Sequence, residues 1–339
     1  MKDTLKVTFG IVNCNRLHYL KSCLESLVYC TQDYENKEII IVDNASIEDG
    51  TEKYLLDKEK EGIKVFRQKE RDPANEFARG CNIIVSESTG DLVAPLQGDS
   101  QFIIKGGWLN HFSEFYKKYM NVVGSTVIDA QRTIRNKSNT YSELLCDKDY
   151  PFAMDLSRVP FSCSANAIYT KASLDHFGPW SEDNKSHEGG MDSENDMRQR
   201  VKSALSKYEN PQFFCGHPLF TPMAAIYTDQ RGTNSRIRGN KRFGEYWPPK
   251  KDFRYYKIFD FEEASKMCAG RNIPIGIEEI AIGEGWNVPI GPDGNWKKNP
   301  IRPETATESD WSDINEIASL AYEQNNENEL SYLDDWMSD

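Results

Sequence analysis

The sequence has no apolar run approaching the roughly 18 residues that a membrane span requires. Its first residues, MKDTLKVTFGIV, place Asp3 and Lys6 ahead of any apolar stretch, which is not the pattern of an export signal. The eight cysteines include no Cys-x-x-Cys pair, so a structural zinc site is disfavoured. Several cysteines fall in apolar segments, where a free thiol packs as a small hydrophobe. We expect no transmembrane segment and a reduced, cytoplasmic location.

Glycine-rich phosphate-binding loops are also missing. Gly10 stands alone in the first apolar segment, and neither G-x-G-x-x-G nor G-x-x-x-x-G-K-[ST] occurs anywhere in the chain. Backbone N–H groups of such loops cradle phosphates in dinucleotide-binding and P-loop proteins. Their absence disfavours both classes.

The carboxyl-terminal residues 303–339 contain no lysine or arginine and 11 acidic residues. The whole chain has 53 acidic and 41 basic residues, so residues 1–302 carry 42 acids against 41 bases and are nearly neutral. The net charge of −12 therefore belongs to the tail. With 339 residues, the chain has room for one large α/β domain and an extension.

The most informative segment present is residues 38–46, EIIIVDNAS. Its apolar run is too short for a helix and rich in β-branched side chains, which predicts a buried central strand of a parallel sheet. The strand ends at Asp43, and Asn44 and Ser46 follow it. Open α/β sheets bind their ligands at the carboxyl ends of their strands. The alternative is a polar turn in which Asn44 and Ser46 serve only as helix caps.

Apolar periodicity predicts alternating strands and helices around this segment. Strands are expected at residues 7–13, 38–43, 63–67 and 92–96, and helices at residues 17–28, 48–61 and 76–87. The connections should be right-handed βαβ crossovers. The first strand ends in a polar turn that contains Asn13, Asn15 and Arg16.

This order, followed by ANEFARGCNIIVSESTGDLVAPLQGD, resembles the nucleotide-sugar-binding half of the family 2 glycosyltransferases. The resemblance implies an α/β, GT-A-type, Rossmann-like and mostly parallel sheet flanked by helices. It also implies that Asp43 meets the nucleotide base of the donor, with Asn13 and Asn44 beside it. Arg79 and Asn82 match the next landmark of the family and are expected to bind the donor.

The family's Asp-x-Asp metal motif falls at Gln97-Gly98-Asp99. A divalent Mn²⁺ or Mg²⁺ with hard oxygen ligands would stabilise the diphosphate leaving group. Asp99 matches a metal ligand, whereas Gln97 provides only a neutral amide for the metal or the donor. The departure predicts a weaker metal site than is usual for the family. The alternative for Asp99 is a simple turn after a strand.

A second acidic segment, MDSENDMRQRV at residues 191–201, resembles the family's Glu-Asp-x-Asp segment. The alignment places Glu194 as the catalytic base, with Asp192 as the second choice and Asp196 beside them. A hydroxyl is a poor nucleophile until it loses its proton, so a carboxylate base is needed. The alternative is that these acids only complement the dipole of a helix that begins here.

The remaining expected ligands lie further along the chain. A strand at residues 223–229 ends in Asp229, where the family often has a metal-binding histidine, and His217 is the alternative ligand. Arg231 follows in a loop expected to fold over the diphosphate. The resemblance covers about residues 5–240, which predicts a catalytic domain at residues 1–242.

Two further regions are expected after this domain: a basic and aromatic, then glycine-, proline- and tryptophan-rich extension at residues 243–302, and an acidic tail at 303–339 with an amphipathic helix. Residues 231–257 carry nine lysines and arginines against two acids, with six aromatic residues. This pattern suits a polyanion, with cations for phosphates and rings for stacking. The alternative is that the arginines close over the donor diphosphate.

These patterns together predict an inverting, metal-assisted glycosyltransferase that moves a sugar from a nucleotide-diphosphate donor, a UDP-sugar first, to a hydroxyl. The acceptor would be a glycan, a lipid-linked sugar or a modified nucleic acid such as DNA. Two other classes stay open: an inactive GT-A scaffold that binds nucleotide-sugar or glycan, motivated by Gln97, and a nucleotidyltransferase.

Overall fold

The computed structural model describes ten segments of the chain: residues 4–72, 74–120, 123–128, 144–146, 152–155, 165–183, 193–205, 214–218, 221–225 and 258–268. Asp192, Asp229, Arg231 and the basic stretch at 231–257 lie outside them, as does the acidic tail. The predictions made for those residues are therefore not addressed by the structure.

The first half of the chain alternates strands and helices as predicted. The strands are β1 (Val7–Asn13), β2 (Lys37–Asp43), β3 (Lys64–Arg67) and β4 (Leu92–Gln97), and the helices between them are α1 (Leu17–Cys30), α2 (Thr51–Lys60) and α3 (Glu76–Glu87). β1 and α3 have the predicted limits, and each of the other elements differs from its prediction by one to three residues at one or both ends. The apolar periodicity of this half is therefore sufficient to locate its elements.

From residue 100 onward, the described segments contain short strands and four helices. The strands are β5 (Ser100–Phe102), β6 (Ile104–Lys105), β7 (Val123–Val127), β8 (Leu144–Cys146), β9 (Phe152–Asp155), β10 (Ala167–Thr170), β11 (Phe214–Pro218), β12 (Met223–Ala225) and β13 (Phe259–Asp260). The helices are α4 (Trp108–Tyr119), α5 (Lys171–Phe177), α6 (Ser193–Leu205) and α7 (Phe261–Cys268).

One sheet of nine strands organises the described residues, in the order β3-β2-β1-β4-β10-β7-β11-β9-β8. β1 to β4 are parallel, and β10 runs antiparallel to both β4 and β7. β11 is again parallel to β7, and β9 opposes it. The predicted mostly parallel α/β sheet is thus confirmed.

Helices cover both faces of this sheet. Ile41 of β2 packs into a core with α1, α4 and α7, whereas Ile40 and Val42 pack into a second core with α3, α5 and α6. Successive side chains of a strand point to opposite faces, so the run of apolar residues in β2 serves both cores. Each such buried side chain contributes about 1.5–3 kcal/mol of hydrophobic stabilisation.

Two glycines allow α3 to lie close against β1. A Cβ at Gly10 would lie 2.2 Å from Cγ2 of Ile84, and a Cβ at Gly80 would lie 2.8 Å from both Cγ atoms of Val12. Side chains at either glycine would push the helix away from the strand. The close approach fixes where the amino-terminal end of α3 stands relative to the carboxyl end of β1.

Residues 258–268, within the predicted extension, pack on the same core as β1, α1 and α4. Phe259 pairs with Ile104 in β6, and Phe259 and Phe261 are buried. The ring of Phe261 stacks on His111 at 4.2 Å between centroids. Helix α7 contributes Phe261 and Ala264 to the core around α4.

Cys14, Cys23, Cys30, Cys81 and Cys215 are free thiols, and Cys23, Cys30 and Cys81 are fully buried. Burial raises the pKa of each of these three thiols above its usual value, because the charged form is poorly solvated there. They pack as small hydrophobes, as expected. None of the helices in the described segments is long and apolar enough to cross a bilayer.

Candidate active site

The carboxyl ends of β1, β2 and β4 bring the first predicted residues together. Asn13 is level with Asp43, and Val12 is level with Gln97. Asp43 is 4% exposed, and its Oδ1 accepts a hydrogen bond from Asn13 Nδ2 at 2.7 Å. Ser46 donates to the same carboxylate from Oγ at 2.6 Å and from its backbone N–H at 2.9 Å. The carboxylate is therefore held in one orientation.

The turn after β1 has a strained backbone that hydrogen bonds of Asn15 hold in place. Asn15 and Arg16 have φ angles of 55° and 54°, a left-handed conformation that costs about 1–3 kcal/mol for a residue other than glycine. Asn15 Oδ1 accepts hydrogen bonds from the N–H groups of Ile47 and Glu48 at 2.8 and 3.0 Å. The Asn15 N–H donates to Ser46 Oγ at 2.6 Å. These contacts join the loops after β1 and β2.

Asn44 also supports this corner. Its Nδ2 donates to the carbonyl of Asn13 at 3.1 Å, and its backbone N–H donates to the same oxygen at 2.8 Å. Its Oδ1 is buried and accepts no hydrogen bond from the described residues, which is uncommon for a buried polar atom. Ile47, three residues on, is 81% exposed at the rim.

Asp99 lies just beyond the end of β4. Its side chain is 5% exposed, and its Oδ2 is 3.5 Å from Nη1 of Arg16. Burial, with a contribution from the Asp99 charge, raises the pKa of the Cys23 thiol. The pKa of His18 is lowered to about 4 by burial and by Arg16, so His18 is neutral at pH 7. The charges of Asp99 and Arg16 thus lie side by side at the metal motif.

Asn166, which the sequence analysis did not single out, ties the end of β4 to β10. Its Oδ1 accepts a hydrogen bond from the Gln97 N–H at 2.9 Å, and its Nδ2 donates to Ser100 Oγ at 3.3 Å. Its own N–H donates to Pro95 O at 2.8 Å. With φ at 61°, Asn166 has the left-handed conformation that asparagine tolerates better than most residues.

Glu194 lies in the first turn of α6, as predicted for the base. It accepts a hydrogen bond from the N–H of Ala165 at 3.2 Å, next to Asn166. Asp196 has a different contact: its Oδ2 accepts from Nε of Arg200 at 2.9 Å. The structure therefore gives the two acids of this turn different neighbours.

Arg200 secures α6 to the end of α5. Its Nη1 donates to Phe177 O at 2.7 Å, and its Nη2 donates to Pro179 O at 2.6 Å. Cationic donors at helix carbonyls also complement the negative end of the helix dipole. Asp196 holds Arg200 in place, so the pair positions the helix that carries Glu194.

Arg79 and Asn82, predicted to bind the donor, contact a different part of the molecule. Asn82 Nδ2 donates to Trp180 O at 2.9 Å, and its Oδ1 accepts from the Trp180 N–H at 2.9 Å. Arg79 pairs with Asp72 at 3.0 Å and with Glu182 at 3.2 Å. Both side chains thus fasten α3 to the segment at 180–182, and their role toward the donor stays a prediction.

The described residues provide only part of a metal site. They contain no group of three or more His, Cys, Asp or Glu side chains arranged to hold a metal, and Asp99 faces a guanidinium instead. His217 is on β11, three strands from β4, or roughly 14 Å at the usual strand spacing. Of the predicted metal ligands, the described residues therefore place one carboxylate, that of Asp99, at the metal motif. Asp229, the other predicted carboxylate ligand, lies outside the described residues.

The fold and the site define a class: an α/β protein of GT-A type with the buried carboxylates of Asp43 and Asp99 at the carboxyl ends of β2 and β4. The model of glycosyl transferase family 2 matches residues 8–178, which is half of the chain. The chain therefore belongs to family 2 of the glycosyltransferases, as the resemblance implied. A comparison with curated proteins finds no significant match.

Solved structures of similar fold include S. aureus TarS 1-349, at 13% identity and a TM-score of 0.47, with 69% of this chain and 64% of TarS 1-349 covered. This chain thus spans less than two thirds of that structure. The mannosyltransferase PcManGT from Pyrobaculum calidifontis, solved with GDP-Man and Mn²⁺, has 14% identity, a TM-score of 0.44, and 71% and 66% coverage. GalNAc-T7, solved with UDP, GalNAc and Mn²⁺, has 13% identity, a TM-score of 0.45, and 66% and 43% coverage. The family assignment comes from the family model alone.

Proposed function

We propose that the protein is an inverting glycosyltransferase that moves a sugar from a nucleotide-diphosphate donor to an acceptor hydroxyl. The donor nucleotide would meet Asp43 and Asn13 at the ends of β2 and β1. The diphosphate would lie near Asp99, and Glu194 would act as general base. A UDP-sugar is the first donor to test, because uridine is the commonest nucleotide in the family that the chain belongs to.

One observation supports this proposal above the others. The dipeptide at residues 165 and 166 contacts both halves of the expected site: Ala165 donates to Glu194, and Asn166 accepts from Gln97 and donates to Ser100. These contacts connect the carboxylate expected to deprotonate the acceptor with the segment expected to face the diphosphate. A base and a leaving-group site held through one dipeptide is what a displacement at the anomeric carbon needs.

The reaction follows from these placements. Glu194 accepts the proton of the acceptor hydroxyl while that oxygen attacks the anomeric carbon. The bond from the anomeric carbon to the diphosphate oxygen breaks, and the nucleoside diphosphate leaves with the electron pair. A single displacement of this kind inverts the configuration at the anomeric carbon. Mn²⁺ or Mg²⁺, predicted at Asp99 and Asp229, would supply charge stabilisation of the leaving group when bound.

The test is transfer from a panel of UDP-, GDP- and dTDP-sugars, followed by release of nucleoside diphosphate. Glu194→Gln should lower turnover by about 10² or more while nucleotide binding stays nearly intact. Glu114→Gln, an exposed change on α4 that removes the same charge, is the matched control and should retain turnover. Unchanged turnover in Glu194→Gln would remove Glu194 from the mechanism.

The same assay separates the two other classes. Tight nucleotide binding without transfer or donor hydrolysis would identify an inactive scaffold, and pyrophosphate release from a nucleoside triphosphate would identify a nucleotidyltransferase. For the acceptor, we propose a hydroxyl compound that carries phosphate, on the basis of the basic and aromatic stretch at 231–257. Binding of a DNA duplex, a single strand and a phosphorylated glycan across a salt series tests this, because phosphate contacts weaken as salt rises.

A further inference from the structure

The ion pair between Arg16 and Asp99 has a feature that the other arginine pairs in the described segments lack. The partners of those arginines are carboxylates outside the metal motif: Arg67 pairs with Glu52 and Glu59, Arg71 with Glu76, Arg79 with Asp72 and Glu182, and Arg200 with Asp196. Arg16 instead pairs with the acid of the motif itself, at 3.5 Å. Its side chain is 28% exposed, whereas that of Asp99 is 5% exposed. The guanidinium thus lies beside a buried carboxylate and is itself partly exposed to solvent.

The backbone pays a conformational cost to place this guanidinium. Arg16 and Asn15 are consecutive left-handed residues ahead of α1. Glycine and asparagine tolerate this conformation, whereas it is unfavourable for arginine. The contacts of Asn15 with Ile47, Glu48 and Ser46 maintain the turn. A strained backbone maintained by its surroundings at a ligand cleft points to a functional role for the residue that it presents.

The charges of the metal motif at residues 97–99 favour an anionic ligand for the Arg16 guanidinium. A motif with two aspartates would carry two negative charges for a divalent ion, but Gln97 removes one of them and Arg16 offsets the other. The motif and Arg16 together carry no net charge, and Arg16 is the more exposed member of the ion pair. Guanidinium groups bind phosphate oxygens through two parallel hydrogen bonds, with more geometric specificity than a point charge has.

We propose that Arg16 binds the diphosphate of the donor from beside Asp99 and supplies positive charge that the weakened metal motif lacks. The proposal rests on the function proposed above and assigns to this residue a role in donor binding. Arg16 and a divalent ion compete for the Asp99 carboxylate. Diphosphate binding should therefore persist when divalent ions are removed.

The experiment is calorimetric titration of the full chain with UDP, GDP and the corresponding nucleosides, in EDTA and in Mn²⁺. The variant is Arg16→Asn, because asparagine tolerates the left-handed conformation. In EDTA its affinity for the nucleoside diphosphate should fall by about 10- to 100-fold, the range for a lost charged hydrogen bond. Its affinity for the nucleoside should not change.

Arg67→Gln removes an arginine of similar exposure from β3 and should leave diphosphate affinity unchanged. In the unaltered chain, adding Mn²⁺ should change the affinity for the diphosphate by less than about threefold. In Arg16→Asn the change should be larger, because the Asp99 carboxylate has then lost the Arg16 guanidinium. Diphosphate affinity in EDTA that is equal in Arg16→Asn and the unaltered chain would overturn the role of Arg16 and leave the proposed function standing. Diphosphate binding by the unaltered chain only in Mn²⁺ would also overturn it. Absence of nucleotide binding under every condition would overturn the proposed function and the role of Arg16 together.

Discussion

Asn82 offers a test that separates a structural clamp from a donor ligand. In Asn82→Ala, the N–H and C=O of Trp180 both lose their side-chain partner. A buried polar group without a partner costs about 1–3 kcal/mol, and this pair is partly buried, so we expect a loss of about 2–4 kcal/mol in the free energy of unfolding. The exposed contact with Glu182 adds little.

Urea unfolding followed by tryptophan fluorescence measures the loss, and titration with UDP measures donor binding. The clamp predicts lower stability with an affinity for UDP that changes by less than about twofold. Asn110→Ala, the same change in helix α4, is the control for the effect of the substitution on helix propensity. Stability within about 0.5 kcal/mol of the unaltered chain, with UDP affinity reduced tenfold or more, would refute the clamp and support the donor role predicted from the sequence.

Two further predictions concern the sheet itself. Gly10→Ala places a Cβ 2.2 Å from Ile84 Cγ2 and should lower stability by about 1–3 kcal/mol; adding Ile84→Ala should cost less than the two single changes together, and a strictly additive double variant would contradict the clash. Burial raises the pKa of Glu38, but hydrogen bonds from Thr8, Thr89 and Lys64 outweigh this effect and lower the pKa to about 2 from the usual 4.5. This contribution to stability is therefore present above pH 4.5 and is lost as the pH falls toward 2. Glu38→Gln should flatten the decline in that window, measured by urea unfolding at each pH, and an unchanged slope would contradict the assignment.

Local patterns were sufficient for the first half of the fold. The strand at Val7–Asn13 and the helix at Glu76–Glu87 follow from apolar spacing, which depends on nearby residues only. Helix α4 was not predicted, although Trp108, Phe112 and Phe115 have helical spacing and are buried. In that case the signal was present in the sequence.

The details of the site depend on contacts between distant residues, which one sequence does not reveal. Asp43 could be predicted because a strand end and an acid coincide. Asn166 could not, because its partner Gln97 is 69 residues away. The pairing of Arg16 with Asp99 depends on two left-handed residues that no local pattern indicates. The contrast between Glu194 and Asp196 likewise required the positions of Ala165 and Arg200.

In the proposed function, Glu194 serves as the base in a single displacement at the anomeric carbon. Proton NMR of the product formed from a nucleotide-sugar of known anomeric configuration measures the outcome directly. A single displacement predicts a product with the anomeric configuration opposite to that of the donor. Glu194→Gln should form this product at least about 10²-fold more slowly than the unaltered chain does. A product that retains the configuration of the donor would contradict it.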